Sequence, residues 1–173
     1  VDNIVSGIIR KDKISVSEIE DAIQSNSEKG SIGLINSLAE LFTKDKIKYY
    51  LSEIKELIDN DCYSIEINAS REENLEFLQD YNINTKKEKE ILMSLEYTDF
   101  CYAVKNKTNN PKYANEILYI FNKNYPLFKI GEDCSENIDI YIKTNKIDTR
   151  SGKRVIVISF HKRNKNIEYL FKQ

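Results

Sequence analysis

The stretch Asn137-Ile138-Asp139-Ile140-Tyr141-Ile142-Lys143-Thr144-Asn145-Lys146-Ile147-Asp148-Thr149-Arg150-Ser151-Gly152-Lys153-Arg154-Val155-Ile156-Val157-Ile158-Ser159-Phe160-His161 decides the fold. Side chains of a strand alternate between two faces. Ile138, Ile140 and Ile142 therefore share one face, and Asp139, Tyr141, Lys143 and Asn145 the other. Ile156, Ile158 and Phe160 likewise share a face, with Val155, Val157, Ser159 and His161 opposite. Asp148 to Gly152 has the composition of a turn, which makes the two segments a hairpin. For both apolar triplets to face one core, paired residue numbers must sum to an even value. A loop over 149–153 pairs Ile142 with Phe160, Tyr141 with His161 and Lys143 with Ser159. The next register sets His161 diagonal to Tyr141. Either one gathers Tyr141, Lys143 and His161 on one open sheet face, and the basic hairpin tip is expected beside them.

Outward from the hairpin, further strands are expected at 115–122, 126–130 and 167–171. Residues 62–69 alternate Tyr63, Ile65 and Ile67 with Ser64, Glu66 and Asn68, which predicts another half-buried strand. Before them the reading is helical. Overlapping capping boxes at Ser15-x-x-Glu18 and Ser17-x-x-Glu20 open a helix near residue 17 that stops within 26–30. A second starts near Ser31 and carries Ile32, Ile35, Leu38, Leu41 and Phe42 at helical spacing. A third follows Thr43 or Asp45 with an apolar stripe of Ile47, Tyr50, Leu51, Ile54, Leu57 and Ile58, and Asn60-Asp61 ends it. Capping boxes at Ser70-x-x-Glu73 and Thr85-x-x-Glu88 predict short helices burying Leu75 and Leu78, then Ile91, Leu92 and Leu95. Helices first and an antiparallel sheet after make the fold α+β. Residues 1–44 read as a helical N-terminal extension and 45–173 as the sheet domain.

The chain has 173 residues, 40% hydrophobic and 31% charged, which is enough apolar material for one core. Runs such as Val155 to Ile158 are far too short to span a membrane, and Val1-Asp2-Asn3 does not open a signal peptide. Cys62, Cys101 and Cys134 have no paired spacing, which fits a reducing, cytoplasmic setting better than a disulfide framework. A single histidine leaves no catalytic zinc set, and no phosphate-loop or dinucleotide fingerprint is present, so neither metal nor cofactor is expected. Residues 1–90 hold 12 Lys+Arg against 19 Asp+Glu, whereas residues 91–173 hold 14 against 9. This asymmetry points to a basic surface for a polyanion attached to an acidic half. Lysine-rich solvated faces are the plainer source of the same count.

Imidazole, phenol and ammonium together suit RNA cleavage by the ribose 2′-hydroxyl. That chemistry needs a base, a cation for the crowded phosphorane and an acid for the leaving 5′-oxygen. His161 can serve as acid or base near neutral pH, Lys143 as the cation, and Tyr141 as an orienting group or proton donor. Arg150, Lys153, Arg154 and Arg163 are expected to hold the RNA backbone, a pull that weakens steeply with salt. Ser159 lies within reach of His161, but no carboxylate is placed by spacing to orient the ring, so a hydrolase triad is not expected. Tyr97, Phe100 and Tyr102 can stack on bases or fill the core, and Glu116 can act as a base or start a strand.

The order of short motifs resembles a known family. It runs from Ser70-Arg71-Glu72-Glu73-Asn74-Leu75-Glu76-Phe77-Leu78 through Tyr81-Asn82-Ile83 and Glu90-Ile91-Leu92-Met93-Ser94-Leu95 to Thr98-Asp99-Phe100-Cys101-Tyr102. Glu116-Ile117-Leu118-Tyr119-Ile120-Phe121, Tyr141-Ile142-Lys143 and Ile158-Ser159-Phe160-His161 follow. Over about residues 45–173 this resembles the MqsR-type toxins, messenger-RNA-cleaving ribonucleases of RelE-like fold from bacterial toxin–antitoxin pairs. The resemblance implies helices on a twisted antiparallel sheet, metal-free endonucleolytic cleavage of RNA, and a cognate antitoxin or immunity protein as partner. Tyr141 matches the family tyrosine before the basic hairpin, with Lys143 two positions on, and His161 takes the place of a family lysine or histidine. Glu116 and Tyr102 fall near a family glutamine and lysine, which makes them accessory residues. Residues 1–44 have no counterpart in the compact toxins and read as an antitoxin-like cover or as part of a larger delivered protein. The competing readings are an immunity or regulatory protein that binds a partner through the basic sheet face, and a toxin homologue that binds RNA without cutting it.

Overall fold

A computed structural model describes residues 41–107, 109–114 and 116–172. The helices expected between residue 17 and Glu40 lie outside the described residues. The described chain is α+β, with α1 (Lys44–Asp59), β1 (Tyr63–Ile65), α2 (Glu72–Asp80), α3 (Thr85–Met93), β2 (Phe100–Lys105), β3 (Ile117–Phe128), β4 (Ser135–Thr149) and β5 (Gly152–Lys162). The strands form one sheet in the order β1-β5-β4-β3-β2. Neighbours are antiparallel except β1, which runs parallel to β5. No described helix is long and apolar enough to cross a membrane.

Local sequence explains most element ends. The Thr43 side chain accepts from the Lys46 amide and so caps α1, whose stripe of Ile47, Tyr50, Leu51, Ile54 and Ile58 is buried as expected. Asn60 closes the helix, and Asp61 takes φ 57° to turn the chain into β1. The expected capping boxes are displaced. Asn84, not Thr85, caps α3, while Asn68 caps a single 3-10 turn at Ala69–Arg71 that leads into α2. Consequently α2 buries Asn74 and Phe77, and Leu75 is 40% exposed. Ile91, Leu92 and Leu95 are fully buried.

One face of the sheet carries the helices. Ile138, Ile140 and Ile142 from β4 join Phe121, Val155, Val157 and Phe160 in the core. Phe42 is part of it too, against Phe100 at 5.5 Å and Tyr119 at 6.0 Å. Tyr50 stacks on Tyr119 at 3.8 Å, and its hydroxyl meets that of Thr144 at 2.9 Å, which satisfies two buried polar groups at once.

The strands at 115–122 and 126–130 are one strand, β3. Pro126 is tolerated because β2 pairs with β3 only from Phe100↔Phe121 onward, so the missing N–H faces an unpaired edge. The strand β2 itself was not expected, and no strand forms at 167–171. That tail instead lies across the open face, with the Leu170 N–H donating to the Phe100 carbonyl, Tyr169 bonded to Asn122, and Phe171 packed against Tyr97 and Phe100.

The hairpin pairs Tyr141 with His161, Ile142 with Phe160 and Lys143 with Ser159, as the alternation requires. Its tip differs. Thr149 pairs with Gly152 across a two-residue turn, Arg150-Ser151, with Gly152 at φ 120°. The two registers are reconciled by a bulge: Lys143 opposes Ser159 but Thr144 opposes Val157, leaving Ile158 unpaired. Val155 and Val157, not Ile156 and Ile158, therefore enter the core with Phe160.

The buried phenols set an alkaline limit. Burial, then the Glu53 carboxylate, pushes Tyr119 up to about 12, and burial followed by Glu88 and Glu136 respectively does the same for Tyr63 and Tyr81. In the unfolded chain these groups ionise near pH 10. Between about pH 10 and 12 the folded state binds more protons than the unfolded state, so stability is full below that window and falls through it. The urea midpoint is expected to drop steeply there; a flat profile would contradict burial of these phenols.

Candidate active site

The open face of the sheet is the polar side of the same strands. From β2 to β5 it presents Tyr102, Asn122, Tyr141, Lys143, Ser159 and His161. A cleft of about 770 Å³ lies over it. Arg71 and Glu73, from the 3-10 turn and the start of α2, form one wall, and the tail from Arg163 to Leu170 forms the other.

Tyr141 and His161 face each other across the strands, with ring centroids 5.4 Å apart and planes inclined by 31°. The Lys143 ammonium sits 5.7 Å from the centre of the Tyr141 ring. His161 Nδ1 lies 2.9 Å from the Lys162 carbonyl, which only accepts, so Nδ1 carries a hydrogen. Nε2 faces the Glu73 carboxylate at 3.4 Å and is the nitrogen that can exchange a proton. This arrangement is not that of a hydrolase triad: Nδ1, the nitrogen a triad carboxylate would hold, donates to the Lys162 carbonyl instead.

Burial, then the hydrogen-bonded Tyr102 hydroxyl, drives the Tyr141 phenol well above the ordinary range, so it stays protonated. Burial, then the Arg71 guanidinium, lowers Lys143. Arg71 is therefore a second cation at the cleft, held 3.7 Å from Glu66. Neither Arg71 nor Glu73 is a sequence-predicted site residue. The capping-box reading of Ser70-x-x-Glu73 assigned Glu73 to the helix end, and nothing local announces that this turn meets β5.

The other predicted residues are divided. Tyr102 and Arg163 line the cleft, Arg163 pairing with Asp139 at 2.7 Å. Arg150, Lys153 and Arg154 do not. From Lys143 to the hairpin tip is about 20 Å of strand, so the tip is not beside the site. Arg154 donates to the Tyr63 carbonyl at 2.6 Å and Lys153 lies 3.9 Å from Glu53. Both serve the β1 edge and α1. Glu116 accepts from Asn106 at 3.0 Å and Asn145 at 2.6 Å, further along the sheet and outside the cleft. No group of three or more His, Cys, Asp or Glu able to hold a metal occurs among the described residues.

Compared with models of known families, with curated proteins and with solved structures, the chain matches none.

Proposed function

We propose that this cleft binds RNA and cuts it by attack of a ribose 2′-hydroxyl on the adjacent phosphate. The observation that carries the reading is the meeting of an imidazole, a protonated phenol and two cations at one cleft over the open sheet face. With the exposed Glu73 side chain turned aside by the bound strand, His161 Nε2 takes the 2′-hydroxyl proton, Lys143 and Arg71 hold the charge of the phosphorane, and Tyr141 delivers a proton to the leaving 5′-oxygen. These groups supply acid, base and positive charge without a metal ion. Arg163 and Tyr102 border the bound strand. The resemblance to the MqsR-type toxins agrees with this chemistry and suggests cytoplasmic messenger RNA as substrate and an antitoxin or immunity protein as partner.

The test incubates the protein, in EDTA, with a defined RNA and its all-deoxy equivalent. Cleavage of the RNA alone, leaving 2′,3′-cyclic phosphate ends, is the expected result. Cleavage of both polymers, or of neither with or without ribosomes, would overturn the reading. RNA binding without cleavage would leave a binding module.

A further inference from the structure

Asn74, in the first turn of α2, is 1% exposed. Its amide nitrogen donates to the carbonyls of Glu66 at 2.6 Å and Ile158 at 3.1 Å, and its oxygen accepts from the Phe160 N–H at 2.8 Å. The parallel ladder of β1 with β5 ends at Ile65↔Val157 and the bond from the Glu66 N–H to the Val157 carbonyl. Beyond that point the outer edge of β5 has no strand beside it. The Asn74 amide takes the next rung, replacing a peptide unit with the same donor and acceptor.

The two β5 groups it holds flank Ser159, at the place where the hairpin register slips by one. If the pairing of the tip, Thr149↔Gly152 to Thr144↔Val157, continued unbroken, Tyr141 would oppose Phe160. His161 would then oppose Ile140 and turn to the helix-covered face. The bulge at Ile158 sets His161 opposite Tyr141. Burial of Phe160 against Phe77, at 5.8 Å between rings, favours the same register but does not tie down the bulge backbone.

We propose that Asn74 is a positioning residue for His161: it clamps the bulge and so fixes the imidazole against Tyr141, one residue from the Glu73 that faces Nε2. Its effect on cleavage rests on the ribonuclease reading; its effect on the ring does not.

His161 is the only histidine, so its ring signals are unambiguous in an NMR spectrum. In Asn74→Ala the ring contacts between His161 and Tyr141 are expected to weaken while core methyl signals of Ile54 and Leu92 stay in place. Cleavage should fall about tenfold or more with RNA affinity nearly unchanged, as for a misplaced catalytic group. A folded variant with intact ring contacts would overturn the proposal. Wild-type protein without any ribonuclease activity would sink the functional reading alone, because the ring contacts still decide this one. Should the variant not fold, exchange of the wild-type Phe160 amide hydrogen decides. Slow exchange, equal to that of the β4–β5 ladder, supports the clamp, and exchange at the rate of an open strand edge overturns it.

Discussion

Replacing His161 with alanine is expected to lower RNA cleavage by about 10²- to 10⁴-fold, the usual consequence of losing a general acid or base. The fold should survive. The ring packs on Tyr141 and faces Glu73 on the open side of the sheet, whereas the flanking core contacts belong to Ile140, Ile142 and Phe160. Thermal melting of the variant alongside its cleavage rate separates the two effects. Tyr141→Phe offers a useful contrast, since it keeps the ring under His161 and removes only the proton donor. Cleavage by His161→Ala within about twofold of wild type would take the imidazole out of the reaction and leave the cleft as a binding surface.

The largest loss of stability is expected at Asp99. This carboxylate is 3% exposed, accepts from the Glu96 N–H and the Lys123 ammonium, each at 2.9 Å, and lies 3.5 Å from Lys172. Asp99→Ala leaves the Lys123 ammonium largely buried without its partner, a change that costs about 3–5 kcal/mol. Against a total stability of about 5–15 kcal/mol for a domain, that is a large fraction. Adding Lys123→Met to the same variant should restore much of it, because the orphaned charge is gone. Urea denaturation of the single and double variants measures both. A single-variant loss below about 1 kcal/mol would show that the pair is not needed. Lys172 belongs to the tail that walls the cleft, so the single variant should also loosen that wall.

The hairpin was legible because its alternation is strict on the β4 side. Ile138, Ile140 and Ile142 are all buried, and the row Tyr141, Lys143 follows from them. On β5 the alternation is ambiguous: every residue from Val155 to Ile158 is apolar, so the sequence carries no sign of which pair faces inward. A two-residue turn plus a bulge and a longer loop without one lead to the same pairing at His161, and only the position of the valines tells them apart. β2 was hidden for a related reason. Its register shift between Phe100 and Tyr102 buries Phe100, Cys101 and Ala103, which breaks the period of two. Arg71, Glu73 and Asn74 were out of reach of local reading because they act on a strand that follows them by most of the domain. The basic residues of the hairpin tip do not serve the cleft as their charge suggests, since net charge cannot show that Arg154 is already bonded to a carbonyl and Lys153 lies near Glu53.

The parallel pairing of β1 with β5 also governs when the site comes into being. A hairpin can close as soon as its two strands exist, but Tyr63 must wait for Val155. Closing so long a loop is entropically slow, and folding is correspondingly delayed. During synthesis, Arg71, Glu73 and Asn74 emerge early and have nothing to act on until the last strand arrives. A nascent or prematurely terminated chain ending before His161 therefore displays helices without the cleft, so whatever this face binds can be met only after β5 has been made.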